Sequence, residues 1–186
     1  GLYTDEGSTG IRMEYNLVYN CKSSSFHQHY GKENVIANNI LVNGIKAQME
    51  ATRPEDHTSF TFCNNIICYT SGVMYGINWD HVNFDSHDNL YWHYGDSVSF
   101  NGLPLEAWQL ATGKDKGSVV ADPGFRDLDS GDFTITETGL VTRLGFKIFD
   151  WRESGVYGEE SWRALAQTDP ELDARFKSMV EYYESL

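Results

Sequence analysis

Short apolar runs recur along the first half of the chain, and each run is opened by an asparagine. Asn16, Asn39, Asn65 and Asn89 stand in the contexts YNLVYN, NNILVN, NNIICY and DNLYWH, with spacings of 23, 26 and 24 residues. A repeat of about 20–50 residues is typical of a stacked architecture. In a parallel β-coil, equivalent side chains of successive turns align, and stacked amides can hydrogen-bond along the row. The pattern therefore predicts a parallel β-helix with a row of asparagines.

The apolar positions predict the strands of this β-helix. Alternation of polar and apolar residues is clearest in Ser59-Phe60-Thr61-Phe62, which is typical of a strand with one buried face. Strands are predicted at 11–13, 17–19, 35–36, 40–42, 60–62 and 66–68. The longer spacing before Asn65 predicts an inserted loop over residues 52–57, where Pro54 blocks strand pairing. Beyond residue 95 the period ends, and a short helix at 105–110 and a last strand at 131–136 follow.

The last thirty residues predict helices instead of coils. One helix opens near residue 158, and a second follows Asp169-Pro170-Glu171, which supplies an N-cap, a proline at the first helical position and an acidic first turn. An apolar face of the second helix predicts that it folds back on the solenoid. This face consists of Leu172, Phe176, Met179, Val180 and Tyr183. We divide the chain into β-helix coils at 1–140 and a C-terminal extension at 141–186.

Composition narrows the classes of function. The chain has 186 residues and a formal net charge of −13, which argues against nucleic-acid binding because phosphate contacts need clustered Lys and Arg. No apolar run approaches 18 residues, so no membrane-spanning helix is expected. The sequence indicates no cofactor, no metal and a monomer. Gly1-Leu2-Tyr3 has the pattern of the middle of a strand, so we expect earlier coils and a targeting peptide to be missing from this chain.

Four segments carry a resemblance to a known group. GLYTDEGSTGIRMEYNLVYN, FHQHYGKENVIANNI, DHTSFTFCNNII and the tail ADPGFRDLDSGDFTI with LGFKIFDWRESGVYG resemble right-handed parallel β-helix proteins of bacterial carbohydrate metabolism. The group with known activity that the chain is most similar to is the β-helical glycoside hydrolases, which include α-L-fucosidase and xylanase members. The resemblance implies an all-β, right-handed parallel β-helix and a secreted or periplasmic enzyme acting on plant-type polysaccharides.

Strand alternation predicts which residues of one wall face outward. If Leu2 points inward, Tyr3 and Asp5 point outward. One coil later an inward Phe26 places His27 and His29 outside, and a further coil on, an inward Met49 places Gln48 and Glu50 outside. After subtraction of the inserted loop, the spacings predict a column of Asp5, His29 and Glu50. A second column of Tyr3, His27 and Gln48 would lie beside it.

This column suits acid–base chemistry. Strands lie about 4.8 Å apart, so positions two coils apart are separated by roughly 10 Å. Inverting glycosidases hold their two carboxyl groups about 6.5–9.5 Å apart, and retaining ones about 5–5.5 Å. Asp5 and Glu50 could approach the longer separation, with His29 keeping their protonation states apart. Asp5 is predicted as nucleophile or general base, and its acid partner as Glu50 or a residue of earlier coils.

Further candidates border the predicted cleft. Tyr30 would position substrate, Arg53 lies on the inserted loop, and Trp79 and Asp80 fall one coil beyond Glu50, where an exposed Trp could stack on a sugar ring. Three alternatives stay open. A polysaccharide lyase would use Lys32 or Arg53 as its basic group, and a non-catalytic β-helix would bind carbohydrate without turnover. His27 and His29 with Asp5 could also bind a metal.

Overall fold

A computed structural model describes residues 1–77, 79–167 and 169–186, without the side chains of Asp80 and Asp173. Its strands in chain order are β1 Leu2–Thr4, β2 Ser8–Thr9, β3 Arg12–Glu14, β4 Leu17–Cys21, β5 Ser24–Gln28, β6 Gly31–Lys32, β7 Asn34–Ala37, β8 Ile40–Gly44, β9 Ala47–Ala51, β10 Phe60–Cys63, β11 Ile66–Tyr69, β12 Val73–Tyr75, β13 Phe84–His87, β14 Leu90–His93, β15 Val119–Val120, β16 Phe125–Asp127 and β17 Asp132–Ile135. The α-helices are α1 Leu105–Thr112, α2 Thr138–Arg143, α3 Glu160–Leu165 and α4 Glu171–Glu184, and 3₁₀ turns span Trp79–His81 and Trp151–Glu153.

The strands stack in three parallel sheets, one strand per coil in each. Sheet 1 has the order β1-β5-β9-β12, sheet 2 the order β3-β7-β10-β13, and sheet 3 the order β4-β8-β11-β14-β15. Strands that are neighbours within these sheets come from successive coils and run parallel. The predicted parallel β-helix is therefore confirmed. A small antiparallel pair of β16 and β17 follows the coils.

Each coil turns sharply between sheet 2 and sheet 3, one residue before the repeated asparagine. The residues at this corner adopt a left-handed backbone, with φ of 58° at Tyr15, 56° at Asn38, 53° at Asn64 and 54° at Asp88. A positive φ is uncommon outside glycine, and Asn and Asp tolerate it better than most residues. Three of the four corner residues are Asn or Asp, which explains the Asn-Asn and Asp-Asn pairs of the sequence.

The asparagine row forms the hydrogen-bonded ladder that the repeat predicts. The Oδ1 of Asn65 accepts both the backbone N–H and the Nδ2 of Asn39, each at 2.9 Å. Asn89 repeats this arrangement with Asn65 at 2.9 and 3.3 Å. The Nδ2 of Asn65 also donates to the carbonyl of Ile36 at 2.8 Å. Buried polar groups need such partners, so the ladder joins consecutive coils without an unsatisfied amide.

The interior is filled by aromatic and aliphatic side chains and closed at one end by α1. Trp108 of this helix packs over Phe100 and next to Tyr75. The buried carboxylate of Asp115 accepts the hydroxyl of Tyr91 at 2.8 Å and the Nε1 of Trp108 at 2.9 Å. The cap therefore ends the stack with a buried acid whose hydrogen bonds are satisfied.

The C-terminal extension covers the outside of sheet 3. Phe125, Phe133, Val141 and Phe146 form a second apolar cluster against the outward residues of β8 and β11. The predicted boundary at residue 140 falls inside α2. None of the described helices is long and apolar enough to cross a membrane.

Helix α4 starts where the sequence predicts it. Asp169 Oδ1 accepts the backbone N–H of Glu171 at 2.9 Å, which confirms the predicted cap. Phe176 is buried, and with Val180 it lies beside Tyr19 of the solenoid. Leu172, placed by the sequence on the buried face, is 46% exposed because it lines an open pocket between the helix and Tyr19 and Asn20 of the solenoid.

We predict that Asn65→Ala lowers the free energy of unfolding by roughly 3 kcal/mol, because two N–H donors of Asn39 and the carbonyl of Ile36 lose their hydrogen bonds to the Asn65 side chain. Urea unfolding followed by circular dichroism measures this loss. Asn16→Ala, at the half-buried first position of the ladder, is the matched control and should cost about 1 kcal/mol. Equal losses for the two variants would contradict the central role of the buried ladder.

Candidate functional site

The wall formed by sheet 1 carries the predicted site residues. Leu2 and Phe26 are in register, as are Phe26 and Met49, and Phe26 and Met49 are buried in the core. The inward row predicted from strand alternation is therefore confirmed. Outside it, Tyr3 pairs in register with His27. His27 in turn pairs with Glu50.

The predicted column is displaced by two residues at its third coil. Glu50 lies opposite His27 and Tyr3, and not in line with Asp5 and His29. One residue beyond the paired strands, the backbone N–H of His29 bonds to Thr4 and that of Thr52 bonds to Gln28. Thr52 therefore takes the place expected for Glu50. The inserted loop makes this coil three residues longer than the coil before it. Alignment of Glu50 with His29 would require five extra residues.

The shift separates the two carboxylates that the sequence predicts as a pair. Two coils of about 4.8 Å and two residues of about 3.3 Å place the backbones of Asp5 and Glu50 roughly 12 Å apart, farther than the roughly 10 Å of the predicted column. Glu50 is also only 7% exposed, and its Oε2 accepts the hydroxyl of Ser23 at 2.8 Å. Glu50 therefore does not stand opposite Asp5 as a second accessible carboxylate.

Two predicted substrate contacts are buried. Gln48 is fully buried because its side chain turns back to the backbone N–H and carbonyl of Gly44, at 2.8 and 2.9 Å. Trp79 is 3% exposed and stacks on Tyr75 inside the coil, with centroids 4.5 Å apart. The expectation that they face a sugar is wrong for both, because each fills space within the fold. The side chain of Asp80 lies outside the described part of the chain.

Thr52 brings the two histidines together. Its Oγ1 lies 2.9 Å from Nε2 of His27 and 2.8 Å from Nδ1 of His29. On the other side of the His29 ring, Nε2 is 3.5 Å from Oε1 of Glu6. The same Glu6 oxygen lies 3.2 Å from Nη1 of Arg53. A hydroxyl, two imidazoles, a carboxylate and a guanidinium thus form one connected surface cluster.

Tyr30 completes this cluster. The guanidinium of Arg53 lies over the Tyr30 ring, 4.5 Å from its centroid, and the His29 ring centroid is 5.6 Å from that of Tyr30. A cation over an aromatic face is attracted by the ring electrons. Arg53 and Tyr30 therefore hold the inserted loop against the site wall, close to the positions predicted for them.

Asp5 is exposed and poised to be ionised. The backbone N–H of Glu6 and the hydroxyl of Tyr3, 3.0 Å away, donate to its carboxylate and lower its pKa, and the nearby His29 contributes in the same direction. Partial desolvation and the bond to Asp5 raise the pKa of the Tyr3 phenol. The pair consists of an anionic carboxylate and a neutral phenol near neutral pH, which suits a base or nucleophile better than an acid.

His27 is more often neutral than an ordinary histidine. Desolvation lowers its pKa, and the positive charge that His29 can carry lowers it further, while Glu50 opposes both effects. The Tyr3 ring covers one side of it, with centroids 5.0 Å apart. The wall therefore presents an aromatic face, a neutral imidazole and a charged carboxylate side by side.

The structure also adds residues that the sequence reasoning missed. The spacing of the asparagines contains the signal for Thr52, because three extra residues in the inserted loop align Thr52 with His29. Glu6 lies in the turn from Asp5 to Ser8, and only the fold shows that it meets His29 and Arg53. Within the described residues, no group of three or more His, Cys, Asp or Glu side chains converges to hold a metal, so the His27, His29 and Asp5 alternative has no geometric support.

Comparisons with protein-family models, with curated proteins and with solved structures find no match to this chain. The description of the site therefore depends on the geometry of the wall itself.

We predict that the low pKa of His27 makes the folded state less stable in weak acid. Near and below pH 6.5 the unfolded chain binds a proton that the folded ring resists, so stability falls as the pH drops toward the folded-state pKa. Above that window the ring is neutral in both states and contributes nothing. His27→Gln should flatten the dependence of unfolding free energy on pH between about 5 and 7, measured by urea titration.

His81→Gln, at an exposed histidine of the 3₁₀ turn Trp79–His81, is the matched control for this measurement. It should leave the slope of the wild-type profile in place. If the unfolding free energy of His27→Gln depended on pH as that of the wild type does, the low pKa of His27 would be contradicted.

Proposed function

We propose that the protein is a glycoside hydrolase acting on a neutral plant-type polysaccharide or oligosaccharide at the outer wall of sheet 1. The observation that carries the proposal is the exposed carboxylate of Asp5, kept anionic by Tyr3 and the Glu6 backbone beside two histidines. The resemblance to bacterial β-helical hydrolases supports a secreted or periplasmic enzyme. The net charge of −13 favours neutral over strongly anionic substrates.

Asp5 acts in this proposal as nucleophile or general base. Tyr3, which is 48% exposed, offers its ring to a sugar face while its hydroxyl orients the carboxylate. His29, bound by Thr52 and facing Glu6, is the proton donor in its imidazolium form. His27, Tyr30 and Arg53 orient the substrate around this pair. Glu50 has a positioning role, because its carboxylate holds Ser23.

A non-catalytic carbohydrate-binding β-helix is the second candidate. The burial of Glu50 favours it, because the wall then lacks the two opposed, accessible carboxylates that most glycoside hydrolases use. The lyase alternative would need Lys32 or Arg53 as a base. Lys32 lies 3.5 Å from Glu33 and Arg53 lies 3.2 Å from Glu6, so each basic group faces a carboxylate.

We predict that Asp5→Asn reduces hydrolysis by at least about 100-fold and leaves binding of the same glycan within about threefold, because the amide keeps the size of the carboxylate and removes its charge. A panel of neutral plant polysaccharides and oligosaccharides is assayed by release of reducing sugar, and affinity is measured by calorimetry. Asp85→Asn, an exposed aspartate on sheet 2, is the matched control and should retain full turnover.

The other outcomes separate the alternatives. Glycan binding by the wild type and by Asp5→Asn, without turnover by either, would identify a binding module. Products that carry an unsaturated sugar absorbing in the ultraviolet would identify a lyase. Loss of binding in Tyr3→Ala but not in Asp85→Asn would place the glycan on the sheet 1 wall in either case.

A further inference from the structure

The hydroxyl of Thr52 is shared by the two histidines of the wall. It lies 2.9 Å from His27 Nε2 and 2.8 Å from His29 Nδ1, both within hydrogen-bond distance. A threonine hydroxyl has a single hydrogen to donate and can accept from other groups. Thr52 can therefore donate to only one of the two rings, and the proton positions of the rings depend on each other.

The contact of Glu6 with His29 favours one of the two rings as the acceptor of that hydrogen. A carboxylate only accepts hydrogen bonds, and Glu6 Oε1 lies 3.5 Å from Nε2 of His29, so this nitrogen is favoured to carry hydrogen. A neutral imidazole has one N–H and one lone pair. The Nδ1 of His29 then presents its lone pair to Thr52, and the hydroxyl must donate to it. With its hydrogen used, Thr52 can only accept from His27.

We propose that Thr52 is a positioning residue that transmits the preference of Glu6 to His27, so that both histidines carry their hydrogen on Nε2. The hydrogen bonds run in one direction: His27 Nε2–H donates to Thr52, the Thr52 hydroxyl donates to His29 Nδ1, and His29 Nε2–H faces Glu6. The Nδ1 of His27 is left with its lone pair. Residues from three coils thus form one polarised row, in which each bond strengthens the next.

Charged and aromatic groups surround the row. Burial keeps His27 neutral by lowering its pKa, and Glu50, on the neighbouring coil, opposes this effect. Tyr3 faces His27 with its ring, and Asp5 faces His29 closely enough for His29 to affect the pKa of Asp5. Tyr30 and Arg53 lie against the His29 and Glu6 end.

Proton uptake at His29 follows from the same geometry. A proton from solvent binds Nδ1 of His29, which then donates to Thr52, and the hydroxyl hydrogen rotates away from the ring. His27 keeps its hydrogen on Nε2 but now shares the same acceptor oxygen with a charged donor. In the proposed hydrolase, on which this consequence rests, His27 would respond each time His29 gains or gives up the catalytic proton.

Nitrogen NMR of the histidine rings tests the row without substrate. The protein is labelled with ¹⁵N-histidine, and two-bond and three-bond correlations at neutral pH report which ring nitrogen carries hydrogen. His27→Gln and His29→Gln assign the signals among the six histidines of the chain. We expect the Nε2–H pattern for both rings in the wild type and in Thr52→Ser. In Thr52→Val we expect the pattern to be lost at His27 and kept at His29, which still faces Glu6.

Glu6→Gln adds the decisive comparison. It should change the His27 signals in the wild-type background and leave them unchanged in the Thr52→Val background, because the hydroxyl connects the two groups. An Nδ1–H pattern at His27 in the wild type, an unchanged His27 pattern in Thr52→Val, or an equal effect of Glu6→Gln in both backgrounds would each overturn the proposal. Thr52→Ala replaces Thr52→Val if circular dichroism shows that the valine variant is unfolded.

The NMR result can be obtained whether or not the protein hydrolyses a glycan. The tautomer pattern is measured on the protein alone, so a protein that hydrolyses no glycan can still show the row. If glycan hydrolysis is found, Thr52→Val should also move its pH–rate profile, and Thr52→Ser should restore it.

Discussion

The amide ladder at the corner between sheets 2 and 3 is the interaction on which the rest of the structure depends. The side-chain carbonyls of Asn39, Asn65 and Asn89 each accept two N–H groups from the coil before, and their amide nitrogens each reach a backbone carbonyl of that coil. A buried amide left without these partners would cost about 1–3 kcal/mol for each group. The ladder therefore fixes the alignment of the coils at this corner. The register of the other strands depends on the number of residues between them and the ladder.

The position of the site follows from that fixed point. Sheet 1 lies between one corner and the next, so its register depends on how many residues each coil uses to return to the ladder. The loop after β9 changes this number for one coil only. As a result Thr52, and not Glu50, reaches the level of His29. Three coils contribute to the cluster, and members from different coils are more than twenty residues apart in the chain.

The electrostatics of this wall are local. The protein carries a net charge of −13, yet the site combines an anionic Asp5, a neutral His27 and a guanidinium facing Glu6. Hydrogen bonds to Asp5 and burial of His27 act in ways that the overall charge does not reveal. Such a set of groups with different proton affinities on one accessible face is the physical basis for assigning chemistry to it.

The sequence by itself determined the parallel coils, the asparagine ladder, the inward row of Leu2, Phe26 and Met49, and the capped start of helix α4, because each depends on local spacing or short-range hydrogen bonds. Only the tertiary structure decided which side chains of sheet 1 meet across coils. A loop of three extra residues instead of five moved Glu50 away from Asp5, and closure of the coils buried Trp79 and Gln48. Local patterns set which face a side chain takes, whereas the number of residues in each turn sets which side chains meet.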